Sequence, residues 1–265
     1  MKVLLTICLL LTPSIAMGQT RAEIKEAERR LAGLGYWTGA VDGVLDRATR
    51  FGLIAFQKYE GRAITGQITL NELEAIRAGS SPKAKESGYE HVEVDLDRQV
   101  MMLVNAAGGV RVLHISSGFE GEFLEEGKPS IAHTPRGRFI VYDKVAGWDG
   151  KPGGMYYSSY ISGGVAIHGY PSVPTEPASH GCIRLPIFVA KEVSRLMPLG
   201  TIVLVYDKVT FVSAKEWIAD PALKQAALAV TVASGFDDYS YQPLRANKSR
   251  TVVVKKARPR ITRAD

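Results

Sequence analysis

The chain has 265 residues, is 46% hydrophobic and carries a net charge of +6, with only two cysteines. The charge is not spread evenly: Arg245, Lys248, Arg250, Lys255, Lys256, Arg258, Arg260 and Arg263 are opposed near the C-terminus only by Asp265, so the rest is close to neutral. A nucleic-acid-binding body is therefore excluded as the source of the basic balance, and an internal disulfide is excluded if the early Cys8 is removed.

The first eighteen residues, "MKVLLTICLLLTPSIAMG", place one Lys before an apolar run from Val3 to Leu11 and end in small residues. This order predicts a signal peptide over 1–18, cut after Gly18, and a mature chain with no transmembrane segment, because the run is too short to span a bilayer. Cys8 leaves with it, and Cys182 becomes the solitary cysteine of an exported protein. Such a residue forms an intermolecular bridge, acts as a reactive group, or is a buried inert side chain.

Residues 19–79 predict a small all-α module of three helices. Ile24, Ala27, Leu31 and Leu34 recur at helical spacing before Gly33 and Gly35, and Ala48, Gly52, Ala55, Phe56 and Tyr59 form a second stripe. Thr69 to Glu72 reads as a capping box opening a third helix, with Leu70, Leu73 and Ile76 inward and Gly79 as its stop. Residues 80–88, polar with one Pro, read as a linker.

Beyond it the period becomes two. Val92, Val94 and Leu96 alternate with His91, Glu93 and Asp95; "VMMLVNAAGGVRVLHISSG", "GRFIVYDKV", "GGVAIHGY" and "GTIVLVYD" are further strands. One helix follows Pro186, with Ile187, Ala190, Val193 and Met197 as its buried stripe. Residues 89–208 thus form a mainly β domain. An extension over 209–240 holds a candidate amphipathic helix at 214–230, and 241–265 is a basic tail expected to be disordered, its partner an acidic envelope polymer, membrane headgroups or none.

The chemistry gathers in "AIHGYPSVPTEPASHGCIRL", 166–185. A strand ending at His168, a loop stiffened by Pro171, Pro174 and Pro177, and a return to Cys182 can bring imidazole and thiol together, as cysteine catalysis requires. Gly181 allows close backbone approach, and the amides around 181 and 182 are candidate oxyanion donors. The helix after Pro186 is a further candidate to acidify the thiol. Arg184 suits a substrate carboxylate. A metal site of His168, His180 and Cys182 is the competing arrangement and lacks a fourth ligand. His91, His114 and His133 read as packed or solvated residues, with His133 a candidate to line the cleft.

His-Gly, a spacer, then Ser-His-Gly-Cys followed by Ile-Arg-Leu resembles the signature of the L,D-transpeptidase catalytic domain of bacterial cell-wall enzymes. "TPRGRFIVYDK" and "MYYSSYISGGVAIHGY" are similar to that family too. Residues 31–73 resemble the three-helix peptidoglycan-binding domain at Leu34-Gly35-Tyr36, Val41-Asp42-Gly43, Thr49, Phe56-Gln57 and Thr65-Gly66.

The resemblance implies an L,D-transpeptidase-like β-sandwich or barrel with short helices, behind the helical module. It implies Cys182 as nucleophile, His168 as general base and the Gly169 carbonyl as the group orienting that imidazole. His180 and Gly181 surround the oxyanion region, and Arg184, Ser179 and Tyr170 are substrate-binding residues. The implied reaction is attack on the third residue of a peptidoglycan tetrapeptide stem with release of D-Ala, without metal or organic cofactor. The thioester passes to another stem, an envelope lipoprotein, a D-amino acid or water, the last making the protein an L,D-carboxypeptidase. The implied partners are peptidoglycan stems and glycan, the place the periplasm, and carbapenem-type β-lactams should acylate Cys182. Residues 120–130 are a candidate specificity loop or a solvated hairpin. A non-catalytic wall-binding protein is the second class of function; an enzyme, by this reading, keeps activity on soluble muropeptides after loss of residues 19–80.

Overall fold

The computed structural model describes residues 19–233 apart from 126 and 151–153. The expected signal peptide and basic tail lie outside the described residues. Three helices come first: α1 (Arg21–Gly33), α2 (Arg47–Tyr59) and α3 (Leu70–Ala78). A complete capping box starts α1, where Thr20 accepts from the Glu23 N–H while the Glu23 carboxylate takes the Thr20 N–H at 2.7 Å. The third helix has only half of the box expected there. Thr69 accepts from the Glu72 N–H, but the Glu72 carboxylate turns to Arg62 at 3.1 Å, a partner that local pattern does not reveal. Leu70, expected inward, is exposed: the buried face of α3 is made by Glu72, Leu73 and Ile76, and Leu70 falls at its edge.

Eleven strands and three further helices follow among the described residues. These are β1 (His91–Asp95), β2 (Val100–Val104), β3 (Val110–His114), β4 (Glu122–Glu125), β5 (Lys128–Ile131), β6 (Gly137–Ile140), β7 (Asp143–Trp148), β8 (Tyr156–Ser162), β9 (Val165–Tyr170), β10 (Ile183–Pro186), α4 (Ile187–Leu196), β11 (Ile202–Tyr206), α5 (Lys215–Ala219) and α6 (Pro221–Ala233). One sheet runs β3-β2-β1-β11-β6, a second β10-β9-β8-β7, and β4 and β5 form a separate hairpin. The expected class, a helical module ahead of a mainly β domain, is what the chain adopts. The helix expected at 214–230 is two helices, because Pro221 cannot continue α5 and instead opens α6. Pro186 sits at the N-cap of α4 rather than inside it.

The core explains why "VMMLV" carries no alternation. Met101 points between the two sheets with Val94, Leu113, Ile161, Ile167, Ile183 and Val203. Its neighbours Val100, Met102 and Val104 point the other way, into a second core with Ala27, Leu31, Leu53, Phe56 and Ile76 of the helices. A strand buried on both faces reads as a continuous apolar run. Phe51 of α2 crosses into the first core, so module and β domain share packed surface. Each such fully buried side chain contributes roughly 1.5–3 kcal/mol relative to exposure.

The polar face of β1 is buried as well, which alternation alone does not predict. Glu93 accepts the N–H groups of Lys85 and Glu86, both at 2.9 Å, the Tyr206 hydroxyl at 3.0 Å, and pairs with His91 at 3.1 Å. Residues 85 and 86 are therefore strapped to the sheet through their backbone N–H groups, and the Lys83 N–H donates to the Tyr59 hydroxyl of α2. The expected linker is a packed connection.

Candidate active site

Strands β9 and β10 run parallel, with His168 opposite Arg184 and Ile167 opposite Ile183. Side chains alternate along a strand, so Cys182, two residues before Arg184, emerges on the same face as His168. Its packing agrees: Cys182 lies against Met155, Tyr160 and Ala166, and Ala166 precedes His168 by two residues. The half-buried sulfur is 3.9 Å from the Met155 sulfur and 3.7 Å from the Gly164 carbonyl.

His168 is 3% exposed, and its Nδ1 is 3.0 Å from the Gly169 carbonyl oxygen. A carbonyl only accepts, so Nδ1 carries the proton and Nε2 keeps its lone pair. Burial holds the imidazole down at about 4; the Arg184 charge acts the same way, against the bond to Gly169 and the more distant Asp149. At neutral pH the ring is a neutral base in a fixed tautomer. Gly169 has a second constraint: a Cβ there would come within 2.6 Å of the Ala190 Cβ on α4.

The segment entering Cys182 is strapped to the chain after β3. Ala178 and Ser179 both donate to the Ser117 carbonyl at 2.9 Å, Phe119 donates to the Ser179 carbonyl at 3.0 Å, and Arg184 to the Ser116 carbonyl at 2.9 Å. Thr134 Oγ donates to the Gly181 carbonyl at 2.8 Å and itself accepts the Gly118 N–H. The Gly181 N–H goes to Ser179 Oγ at 3.0 Å, so in this structure that amide serves the turn, and its use as an oxyanion donor requires that bond to break. Ser179 completes the turn by donating to the Cys182 carbonyl at 2.5 Å.

Arg184 is placed as a loop support: Nη1 donates to the Ala178 carbonyl at 3.1 Å, and the guanidinium lies 4.2 Å over the Tyr170 ring. Tyr170 stands edge-on to His168, with ring centroids 6.0 Å apart. His180 does not turn toward His168 and Cys182 as a ligand set would require. It stacks on Phe123 of the β4–β5 hairpin at 4.1 Å and 14°, next to Phe119. Among the described residues no group of three His, Cys, Asp or Glu could hold a metal ion, and the metal arrangement is set aside on that geometry. His133 reaches the site through its backbone and pairs with Glu120 at 2.6 Å. The N-terminus of α4 is not at the thiol: five residues of extended chain, about 16 Å, separate Cys182 from Ile187, and the helix field fades within a turn.

Sequence reasoning missed Thr134, Ser117, Gln99 and Met155, whose contacts around the loop join positions up to 62 residues apart, Ser117 and Ser179. It also missed the aromatic character of the hairpin wall, legible only as Phe119 and Phe123 in an otherwise acidic stretch.

Residues 89–205 match the family of the L,D-transpeptidase catalytic domain, and residues 20–76 match the peptidoglycan binding domain. Among solved structures, the chain is similar to the L,D-transpeptidase (residues 123–326) from Xylanimonas cellulosilytica. The identity is 35%, covering 71% of this chain and 95% of that one, with a TM-score of 0.65. It is also similar to the catalytic domain of the E. faecium L,D-transpeptidase, at 28% identity over 46% of this chain and 99% of that one, with a TM-score of 0.37. No curated protein matches the chain.

Proposed function

The chain belongs to the L,D-transpeptidase family, and from that premise we propose that it is a cysteine acyltransferase of peptidoglycan stem peptides, working through Cys182 and His168. The observation that carries this reading is the His168 tautomer. With Nδ1–H committed to the Gly169 carbonyl, Nε2 is the base on the face from which Cys182 emerges.

In the first step the Cys182 sulfur attacks the carbonyl of the third stem residue while its proton passes to His168 Nε2. The amide C–N bond then breaks, and His168 returns the proton to the departing D-Ala amine. An acceptor amine next attacks the thioester, loses its proton to His168 and releases the thiol. Arg184 and Ser179 hold the loop that presents the thiol, and Tyr170 flanks the imidazole. The Gly181 to Cys182 turn is our assignment for the oxyanion.

Residues 19–79 are assigned to wall binding and 89–208 to catalysis, in the periplasm, where stems and lipoprotein acceptors are both within reach. Among the described residues no helix is long and apolar enough to cross a membrane. The reaction as written calls on protein groups and the thioester alone.

The test is mass spectrometry of the protein incubated with a disaccharide tetrapeptide. Wild type should carry an acyl adduct on Cys182 and yield a dimer with loss of D-Ala; Cys182→Ala should do neither. Tripeptide without dimer assigns hydrolysis or an absent acceptor, and dimer formation by Cys182→Ala overturns the reading.

A further inference from the structure

Lys58, in the last turn of α2, reaches out of the helical module into the β domain and is 5% exposed. Its Nζ lies 3.0 Å from the Ile115 carbonyl, 3.3 Å from the Gln99 carbonyl and 2.9 Å from His114 Nδ1. The two carbonyl oxygens only accept, and His114 Nε2 faces a third carbonyl, so Nδ1 is the acceptor toward Lys58 whether that amine is charged or neutral. Nδ1 of His114 therefore carries the lone pair and Nε2 carries the proton. That proton points at the Val173 carbonyl, 3.2 Å away.

Val173 belongs to the segment that takes the chain from His168 to Cys182. Residues 171–182 contain no helix or named strand, so their course depends on bonds to other parts of the molecule. Two further bonds come from the same place: Ser116 Oγ donates to the Glu176 carbonyl at 2.7 Å, and Gln99 Nε2 donates to Ser117 Oγ at 2.8 Å. Burial pushes Lys58 down to about 7 against the pull of Glu176, and holds His114 at about 3 with the Lys58 charge acting in the same direction. The His114 ring is thus neutral around pH 7, and its tautomer is set by its neighbours.

We propose that Lys58 and His114 are positioning residues of the transpeptidase site, through which the helical module fixes the loop that sets Cys182 against His168. The proposal rests on the assignment of those two residues above. Its consequence is that the wall-binding module is part of the active-site scaffold as well as a tether. Hydrogen bonds to charged groups in buried places are the stronger ones, and a shift of about 1 Å at reacting atoms costs up to about a hundredfold in rate.

The experiment uses the full chain with two readouts, iodoacetamide alkylation of Cys182 and steady-state turnover of a disaccharide tetrapeptide. His114→Leu removes both imidazole bonds; His114→Gln keeps a donor for Val173; Lys58→Met removes the ammonium. His114→Leu and Lys58→Met are expected to lose about tenfold or more in kcat with KM within about threefold, the rate of alkylation falling with kcat because iodoacetamide needs the thiolate, and most of both losses restored in His114→Gln. A merely structural role would raise KM as well and show no rescue by Gln. Turnover by Lys58→Met within about threefold of wild type overturns the proposal, and Lys58→Met decides alone if His114→Leu does not fold. Turnover by Cys182→Ala overturns the parent assignment, which separates the two failures.

Discussion

The carbonyl oxygen of His133 lies 2.7 Å from the point where a Cβ on Gly181 would sit, and Gly181 holds φ at +149°. The two residues belong to distant parts of the chain, yet they set the path of the backbone entering Cys182. Thr134, next to His133, adds its hydroxyl bond to the Gly181 carbonyl. Glycine is required here twice, for the torsion and for the space.

Gly181→Ala should therefore displace the thiol. Strain of this kind costs on the order of 1–3 kcal/mol, and the backbone has no side-chain end to give way. The expected outcome is a modest fall in melting temperature with a much larger fall in the rate of Cys182 acylation by a disaccharide tetrapeptide, read by intact-protein mass spectrometry. An Ala variant acylating at the wild-type rate would show that the turn does not position the sulfur.

Acid should weaken the fold through its buried histidines. An unfolded histidine protonates near 6.5, whereas His168 does so at about 4 and His114 at about 3. Between those values the unfolded chain binds more protons. Stability that is whole above about pH 6.5 is therefore lost as pH falls through the window, by on the order of 3 kcal/mol for His168. Urea midpoints at pH 7 and pH 4.5 should fall less in His168→Gln than in wild type. The same His168 value keeps the base neutral down to about pH 4, so the acid limb of acylation belongs there rather than near 6.5.

That His168 and Cys182 come from adjacent strands on one face was legible because the information is local. Both lie within one stretch of twenty residues, and a lone Cys beyond the expected signal peptide points to reactivity. The helical stripes were legible for the same reason, through Ala27, Leu31 and Phe56. What escaped the sequence depends on distant neighbours. Leu70 carries the right spacing for burial, but nothing in sequence says that the buried face of α3 is turned toward Glu72, Leu73 and Ile76 and leaves Leu70 outside it. Glu93 reads as the wet side of β1 until residues 85 and 86 and Tyr206 close over it. His114 reads as a packed strand residue, which it is; that it relays Lys58 to Val173 depends on a contact 56 residues away and another 59 residues away.

The β4–β5 hairpin provides a prediction about substrate rather than chemistry. His180 stacks on Phe123 with Phe119 edge-on beside it, so the hairpin face turned toward the Cys182 loop is aromatic, while Leu124 and Ile131 lie exposed on its other face. An unpaired hairpin has little stability of its own and is held here by such contacts. Phe123→Ala should raise KM for the disaccharide tetrapeptide several-fold, with kcat and melting temperature changed less. If KM stays at the wild-type value, the hairpin does not contact the substrate.

The shared core gives the strongest expectation for the molecule as a whole. Val100, Met102, Val104 and Val112 face the helices, and Phe51 stands in the core between the sheets against His114 at 5.4 Å. Removing residues 20–79 would expose one full face of β2 and β3 and leave a gap where Phe51 was. Filling that loss with water costs roughly 1.5–3 kcal/mol for each large side chain, which several residues raise to the scale of a domain's net stability. The intact chain should melt in one transition, and the truncated chain should fail to give a soluble, active β domain. This reverses the expectation that an enzyme here keeps its activity without the module. Two separate calorimetric transitions, or a truncated chain that still turns over soluble muropeptide, would show that the seam packs without mattering. Phe51→Ala in the full chain is the milder version. It should lower the single melting temperature, with a loss in the range of about 3–5 kcal/mol expected for a buried Phe.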